Sequence, residues 1–339
     1  MAKKDGRMAY AMKSIQEDIR SGQFRQVYLL YGEEKYLRDQ YRQKLMQALA
    51  PDGGGMNVHL YEGKGIDMQE IISQAETIPF FAERRVILVQ DSGFFKGKAD
   101  LLADYMGSLP DYLVMIFSED EVDKRSRLYK AVQKHGHAAE FAAQNSDTLM
   151  RWVLGRMSHE GKKITRRDME HFLTLAGTDM ANISSELEKL LSYTLGREVI
   201  TGADIDAVCV PQVTSQIFDM VRAVAAHQEK QALELYYDLL SLREPPMRIL
   251  FLLARQFNQI LQIRELQNAR LPQKEIAAKT GLPPFVVSRY GPLCRQYSSE
   301  RLREIIEELT ASEEAVKTGR LDDTLSVEMA ICSLSASAG

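Results

Sequence analysis

The sequence has little cysteine: three residues in 339, at positions 209, 294 and 332. They lie far apart, so their spacing offers neither a disulfide framework nor a thiolate metal site, and it suits a reducing compartment. Long apolar runs are missing too. The basic start, Met-Ala-Lys-Lys-Asp-Gly-Arg, leads into no hydrophobic stretch of a secretory signal, and no segment is long enough to span a bilayer. A soluble, cytoplasmic protein is expected. Excess charge of one sign is also absent. A formal net charge of −4 gives no support to a chain-wide nucleic-acid footprint and leaves only local basic patches to consider. Serine, histidine and aspartate are scattered with no nucleophile-elbow signature. There is no internal repeat and no low-complexity tract. A hydrophobic content of 45% and a charged content of 27% are those of an ordinary globular chain. The length accommodates roughly two or three domains.

The most informative absence is local. Residues 27–38, Val-Tyr-Leu-Leu-Tyr-Gly-Glu-Glu-Lys-Tyr-Leu-Arg, read as a buried strand that turns at a glycine into a helix. A nucleotide-binding α/β domain normally has its phosphate loop at this point. That loop needs several glycines followed by Lys and Ser/Thr, so that backbone N–H groups and an ammonium cradle the phosphates. Here Gly32 is followed by Glu33 and Glu34, whose charges repel a triphosphate. The scaffold is that of a nucleotide-driven machine without its chemistry, which points to a partner-binding subunit.

Residues 1–144 alternate strand and helix. Strands are predicted at Val27–Tyr31, Met56–Tyr61, Arg84–Val89, Tyr112–Phe117 and His137–Phe141. Helices are predicted at Glu34–Ala50, at Asp67–Glu76 with Asp67 as cap, and at Lys124–Lys134, and Pro51–Gly55 acts as a breaker. Strands separated by such helices imply right-handed crossovers and a mainly parallel sheet. After Phe141 the strand signals stop. Asn145-Ser146-Asp147 can cap a helix containing Leu149, Trp152, Val153 and Met157, broken at Gly161. Helices at Thr165–Leu175 and Asp179–Tyr193, with Gly177 between them as a C-cap, complete a small domain over residues 145–210. Residues 211–339 read as almost entirely helical. The candidates are Ser215–His227, Glu229–Ser241, Pro246–Arg264, Pro272–Thr280, Pro283–Tyr297, Ser299–Thr318 and Thr324–Leu334, with Ser333–Gly339 as a frayed tail.

Several constellations invite functional readings. Asp91, Glu119, Asp120 and Glu121 stand at strand ends, where a Walker-type ATPase holds Mg²⁺; without a phosphate loop they are expected to be solvated. His135 and His137 could share a strand face, but no further metal ligand lies near them in sequence. Residues 275–289 have the outline of a helix-turn-helix. The second helix offers Pro283, Pro284, Phe285, Val286 and Val287, with only Ser288 and Arg289 able to hydrogen-bond, so packing is favoured over base reading. Lys162, Lys163, Arg166 and Arg167 form a basic cluster, either a solvated surface or a candidate contact to DNA phosphates. Thr77–Arg85 holds an adjacent aromatic pair, Phe80-Phe81, after the helix-ending Pro79. By residue type alone the pair is either two core aromatics or an exposed anchor for a partner's pocket.

Together these residues resemble the delta subunit of the bacterial DNA polymerase III clamp loader, over nearly the whole chain. The resemblance is carried in order by Tyr28-Leu29-Leu30-Tyr31-Gly32-Glu33-Glu34-Lys35-Tyr36-Leu37, by Phe80-Phe81-Ala82-Glu83-Arg84-Arg85-Val86-Ile87-Leu88-Val89, by Asp123-Lys124-Arg125, and by Gly177 to Leu190. It implies an α/β plus all-α chain: an AAA+-like clamp-binding domain without a phosphate loop (1–144), a helical lid (145–210) and a helical collar (211–339). It also implies a hydrophobic wedge that binds the sliding clamp (beta) and opens its ring, at Ile78, Pro79, Phe80 and Phe81, with Phe80 where the family usually has Leu. The implied partners are the ATPase subunits (gamma/tau), delta-prime and primed DNA. No catalytic site, cofactor or metal of its own is expected, and the polymerase activity belongs to the holoenzyme. The rival readings are a helix-turn-helix DNA-binding regulator, weakened by its apolar second helix, and an ATP-binding AAA+ protein, weakened by Glu33-Glu34.

Overall fold

The computed structural model describes residues 2–53, 55–142 and 146–336, and the chain divides into two compact units, residues 1–144 and 145–339. The first unit opens with α1 (Ala2–Ser21), which sequence periodicity had not singled out, and continues with β1 (Val27–Tyr31) and α2 (Lys35–Leu49). A 3₁₀ turn (Gly55–Asn57) leads into β2 (Val58–Glu62), α3 (Met68–Ala75), β3 (Arg85–Gln90), α4 (Asp100–Tyr105), β4 (Leu113–Glu119), α5 (Arg127–His135) and β5 (His137–Glu140). All five strands are parallel, in the order β2-β3-β4-β1-β5. This is the mainly parallel α/β sheet that the alternation implied.

The central strands β1 and β4 are buried throughout, and β3 nearly so, because helices cover both faces; the edge strand β2 is only partly covered. Side-chain alternation divides β1 between the two layers. Val27, Leu29 and Tyr31 join Ile87, Val89, Met115 and Phe117 in a core closed by Ile71 of α3, Leu102 of α4 and Val132 of α5. Tyr28 points the other way, and its hydroxyl donates to Asp18 of α1 at 2.8 Å. Gln16 of α1 donates to the Tyr41 hydroxyl of α2 at 2.8 Å, and Ile15 is fully buried. Helix α1 was hard to read because few of its residues are apolar, and its stability comes from this packing.

The second unit begins with α6 (Ser146–His159); Asn145, which opens its expected cap, lies outside the described residues. There follow β6 (Lys163–Ile164), α7 (Arg166–Ala176), α8 (Met180–Tyr193), β7 (Val199–Ile200) and α9 (Gly202–Val208). The two-residue strands β6 and β7 pair in parallel, so strand structure does not end at Phe141 as expected. Runs this short carry no periodicity to detect. Thr165 and Asp179 cap α7 and α8 by accepting from Asp168 N and Asn182 N, and Gly177 closes α7 at φ 79°.

The remaining helices are α10 (Val213–Ala225), α11 (Glu229–Ser241), α12 (Pro246–Asn268), α13 (Gln273–Thr280), α14 (Pro284–Gln296), α15 (Ser299–Lys317) and α16 (Asp323–Ala336). They share one apolar core in which α12 packs against α10, α14, α15 and α16 through Ile249, Leu253, Phe257 and Ile260. Residues Ser333–Ala336, expected to fray, continue α16 with Leu334 buried; residues 337–339 lie outside the described structure. All three cysteines are free; burial pushes the Cys209 thiol up to about 12 and the Cys294 thiol up to about 11, so neither is a reactive thiolate. Among the described residues, no helix is long and apolar enough to cross a membrane.

Candidate functional site

Helix α3 ends at Ala75, and the chain reaches β3 through a loop that is tightly held at its base. The Thr77 hydroxyl donates to Ser73 O at 3.0 Å, and the Tyr112 hydroxyl donates to Glu76 O at 3.0 Å. Arg85, buried at the start of β3, donates to Ile78 O at 3.3 Å and to the ring of His59 on β2. Arg84 donates to Gly22 O at 3.2 Å and lies 4.9 Å over the Phe24 ring. Burial, reinforced by the Arg85 guanidinium, lowers the His59 pKa, so the ring is neutral and accepts from Arg85.

The loop's tip is apolar and open. Ile78 is 76% exposed, Phe80 57% and Phe81 94%. The two phenyl rings meet edge to face, 4.5 Å apart at 85°. Neither ring belongs to the core, which rules out the reading of two core aromatics. Phe81 sits at φ 49°, in the left-handed region that side chains with a Cβ avoid. The carboxamide of Asn57 fixes this tip: it accepts from Phe80 N at 2.6 Å and donates to Phe80 O at 2.8 Å. Sequence reading missed Asn57. It lies 23 residues from its partner, and no local pattern marks such a pairing.

At the phosphate-loop position, the backbone is already committed. Gly32 N donates to Glu119 O at 3.1 Å, and Glu34 N donates to Phe141 O at 2.9 Å. A phosphate cradle needs such N–H groups aimed at the ligand. Gly32 takes φ 127°, and a Cβ there would lie 2.3 Å from Phe141 O. Beneath the turn, Arg38 is 2% exposed, donates to Gly32 O at 3.0 Å and pairs with Asp120 at 2.6 Å. Nothing in the sequence marks Arg38 beyond its place in the predicted helix; the fold carries it under the turn.

The strand-end acids require a correction. Asp91, Asp120 and Glu121 are exposed, the last two paired with Arg38 and Lys96. Glu119 is not solvated: it is 3% exposed and accepts from Ser92 N (3.1 Å), the Ser92 hydroxyl and Gly93 N (3.2 Å). Burial raises its pKa, against the pull of these donors. Its role is to shape the loop after β3. His135 is exposed, while His137 packs edge-on to Tyr28 at 6.4 Å. Among the described residues, no group of three or more His, Cys, Asp or Glu is placed to hold a metal.

The helix-turn-helix outline is real in backbone terms: α13, Gly281 at φ 70°, then α14. Yet Val287, Tyr290 and Leu293 of α14 are core residues. Arg289 pairs with Asp219 at 3.2 Å and stacks 3.6 Å over Phe218, and the Ser288 hydroxyl accepts from Gln273. Both candidate base readers are engaged by neighbouring side chains of the same helical unit. In the basic cluster, Lys162 donates to Thr194 O and Arg197 O, each at 2.6 Å, tying down the end of α8. Lys163 pairs with Glu198 at 2.5 Å and Arg166 with Glu170 at 3.0 Å, both on the surface, and Arg167 is exposed.

Two family models match the chain. The DNA polymerase III delta subunit model matches residues 28–142, and the model of the C-terminal domain of the same subunit matches residues 214–334. DNA polymerase III subunit delta of Bacillus subtilis is 27% identical over 332 residues, covering 94% of this chain and 96% of that protein. A probable DNA polymerase III subunit delta of Aquifex aeolicus is 19% identical over 294 residues, covering 83% of each. Among solved structures, the Bacillus subtilis DNA clamp loader delta protein (YqeN) superposes with a TM-score of 0.66 at 27% identity, over 96% of this chain and 99% of that one. Because the matches take in both the sheet domain and the C-terminal helices, in one order and along nearly the whole length, the chain belongs to the DNA polymerase III delta subunit family.

Proposed function

We propose that this delta-family subunit binds the sliding clamp through the Ile78–Phe81 tip, opens the ring, and does so without binding ATP itself. The observation that carries the reading is the exposed phenylalanine pair on a loop whose base is pinned by Arg85, Tyr112 and Thr77. Large apolar side chains held rigidly in solvent suit a partner's pocket, because little ordering entropy remains to be lost on binding. Ring opening then follows from differential affinity: the subunit shifts the ring toward its open state only by as much as it binds that state better. The committed N–H groups of Gly32 and Glu34, with two carboxylates beside them, support the absence of a nucleotide site.

In this reading, residues 1–144 are the clamp-binding domain, 145–210 a lid and 211–339 a collar. The collar joins the ATPase subunits (gamma/tau) and delta-prime around primed DNA. Contact between the basic cluster and DNA would rest on Lys163, Arg166 and Arg167, since Lys162 is spent on carbonyls. The test is the double change Phe80→Ala, Phe81→Ala. Truncating a buried aromatic anchor costs ~2 kcal/mol or more, about thirtyfold in affinity. Clamp binding should therefore vanish at micromolar concentration while the melting temperature barely moves. A variant that still captures the clamp with wild-type affinity would place the wedge elsewhere.

A further inference from the structure

We propose that Asn57 is a positioning residue for the wedge: its carboxamide pre-forms the Phe80–Phe81 tip in its binding shape before the clamp arrives. The proposal rests on the clamp-binding reading of this loop. Asn57 closes the 3₁₀ turn ahead of β2, and its side chain is almost fully buried. It meets the Phe80 backbone at both polar groups, accepting from N and donating to O. The pairing reproduces what a neighbouring strand would offer a single residue. Only a carboxamide supplies a donor and an acceptor in that fork, and the two Phe80 partners fix which end is oxygen.

The need for such a clasp follows from the next residue. Phe81 is at φ 49°, a conformation that persists in a non-glycine residue only where its surroundings enforce it. The bonds from Thr77, Tyr112 and Arg85 reach no further than Ile78. Beyond that point Asn57 provides two hydrogen bonds to the tip. With Phe80 held on one side, its ring buttresses Phe81 edge to face, and the most exposed phenyl of the pair is presented in one orientation. Without the clasp, the tip would sample extended conformations in which Phe81 relaxes out of the left-handed region. Apparent affinity falls in proportion to the fraction of molecules in the competent shape.

The decisive variant is Asn57→Ala in the full chain, assayed against the sliding clamp beside the Phe80→Ala, Phe81→Ala double variant. Three readouts are taken: clamp association and dissociation rates, melting temperature, and hydrogen exchange of the Phe80 amide. The expected result is roughly a tenfold loss of affinity, mainly in the association rate, with the melting temperature within ~2 °C and the Phe80 amide losing its protection. If Asn57→Ala proves poorly folded, Asn57→Asp replaces it. That variant keeps shape and the acceptor but sets a carboxylate against Phe80 O, and a severalfold loss of affinity is expected. Faster Phe80 exchange with unchanged clamp affinity would overturn the proposal and leave the wedge intact. A large fall in melting temperature with normal binding by the folded fraction would also overturn it, reducing Asn57 to a structural role. Wild-type binding by the double phenylalanine variant would instead overturn the wedge reading, and this proposal with it.

Discussion

Gly32 is the residue where one added carbon should do most harm to the first unit. Its φ of 127° is unfavourable for any side chain, and a Cβ would meet the Phe141 carbonyl oxygen at 2.3 Å. The three nearest atoms all belong to the Phe141 backbone, so no flexible side chain is there to move aside. Gly32→Ala should destabilise the sheet domain by ~2 kcal/mol or more, seen as a drop of several degrees in its melting transition. His59 supplies a pH dependence. Its folded pKa lies below the usual 6.5 because of burial and Arg85. The unfolded chain therefore takes up the proton first, and stability present above that value is lost as pH falls through it toward the folded value. Between about pH 7 and about pH 5, the wild type should lose more melting temperature than His59→Gln, which cannot titrate. Equal slopes would mean the His59–Arg85 contact does not matter for folding. At this scale the sequence was partly legible. Phe80 and Phe81 could be picked out, but their exposure could not, and Asn57 and Arg38 carried no local mark because their partners are set by the fold.

Among the elements, those with a chemical start signal were read almost to the residue. Asp67, Thr165 and Asp179 cap α3, α7 and α8 by side-chain acceptance, and Pro246 opens α12 at its first turn. Those missed were α1, α4, α9 and the pair β6–β7. The short ones hold too few residues to show a period; the long one, α1, is polar and stands by packing on α2 and β5. The helices from α10 to α16 close around a core of their own. Exposed Tyr237, Leu242, Phe251 and Met329 lie outside that core and are the apolar surface that the proposed collar role would use. A chain ending at residue 211 should accordingly keep clamp binding but fail to enter a complex with the ATPase subunits. Co-elution of the shortened chain with those subunits would refute the collar's role.

At the scale of the whole molecule, the parallel sheet domain carries, where a phosphate loop would follow its first strand, a turn closed by its own backbone. Calorimetry with Mg-ATP should show no specific binding, because Gly32 N and Glu34 N already donate to carbonyls and Arg38 is locked to Asp120 and Gly32 O. Binding at micromolar concentration would contradict this reading of the first domain. On the function proposed above, control by ATP would come from neighbouring subunits, as a change in whether the Ile78–Phe81 tip is free to meet the clamp.

By itself the sequence determined the class of each region. Apolar runs flanked by helical periods fix a parallel covered sheet, and unbroken helical periods fix the C-terminal helices, because these patterns are local and each residue reports its own burial. It also determined that a phosphate loop is missing, since that motif is contiguous. The tertiary structure alone decided which polar groups meet across long separations. Asn57 reaches Phe80, Glu119 reaches Ser92 and Gly93, Arg289 reaches Asp219, and the Gly32 turn meets Phe141. Such pairings depend on where the sheet and helices bring distant backbone together, and one side chain's hydrogen-bonding capacity does not specify its partner until the fold supplies it.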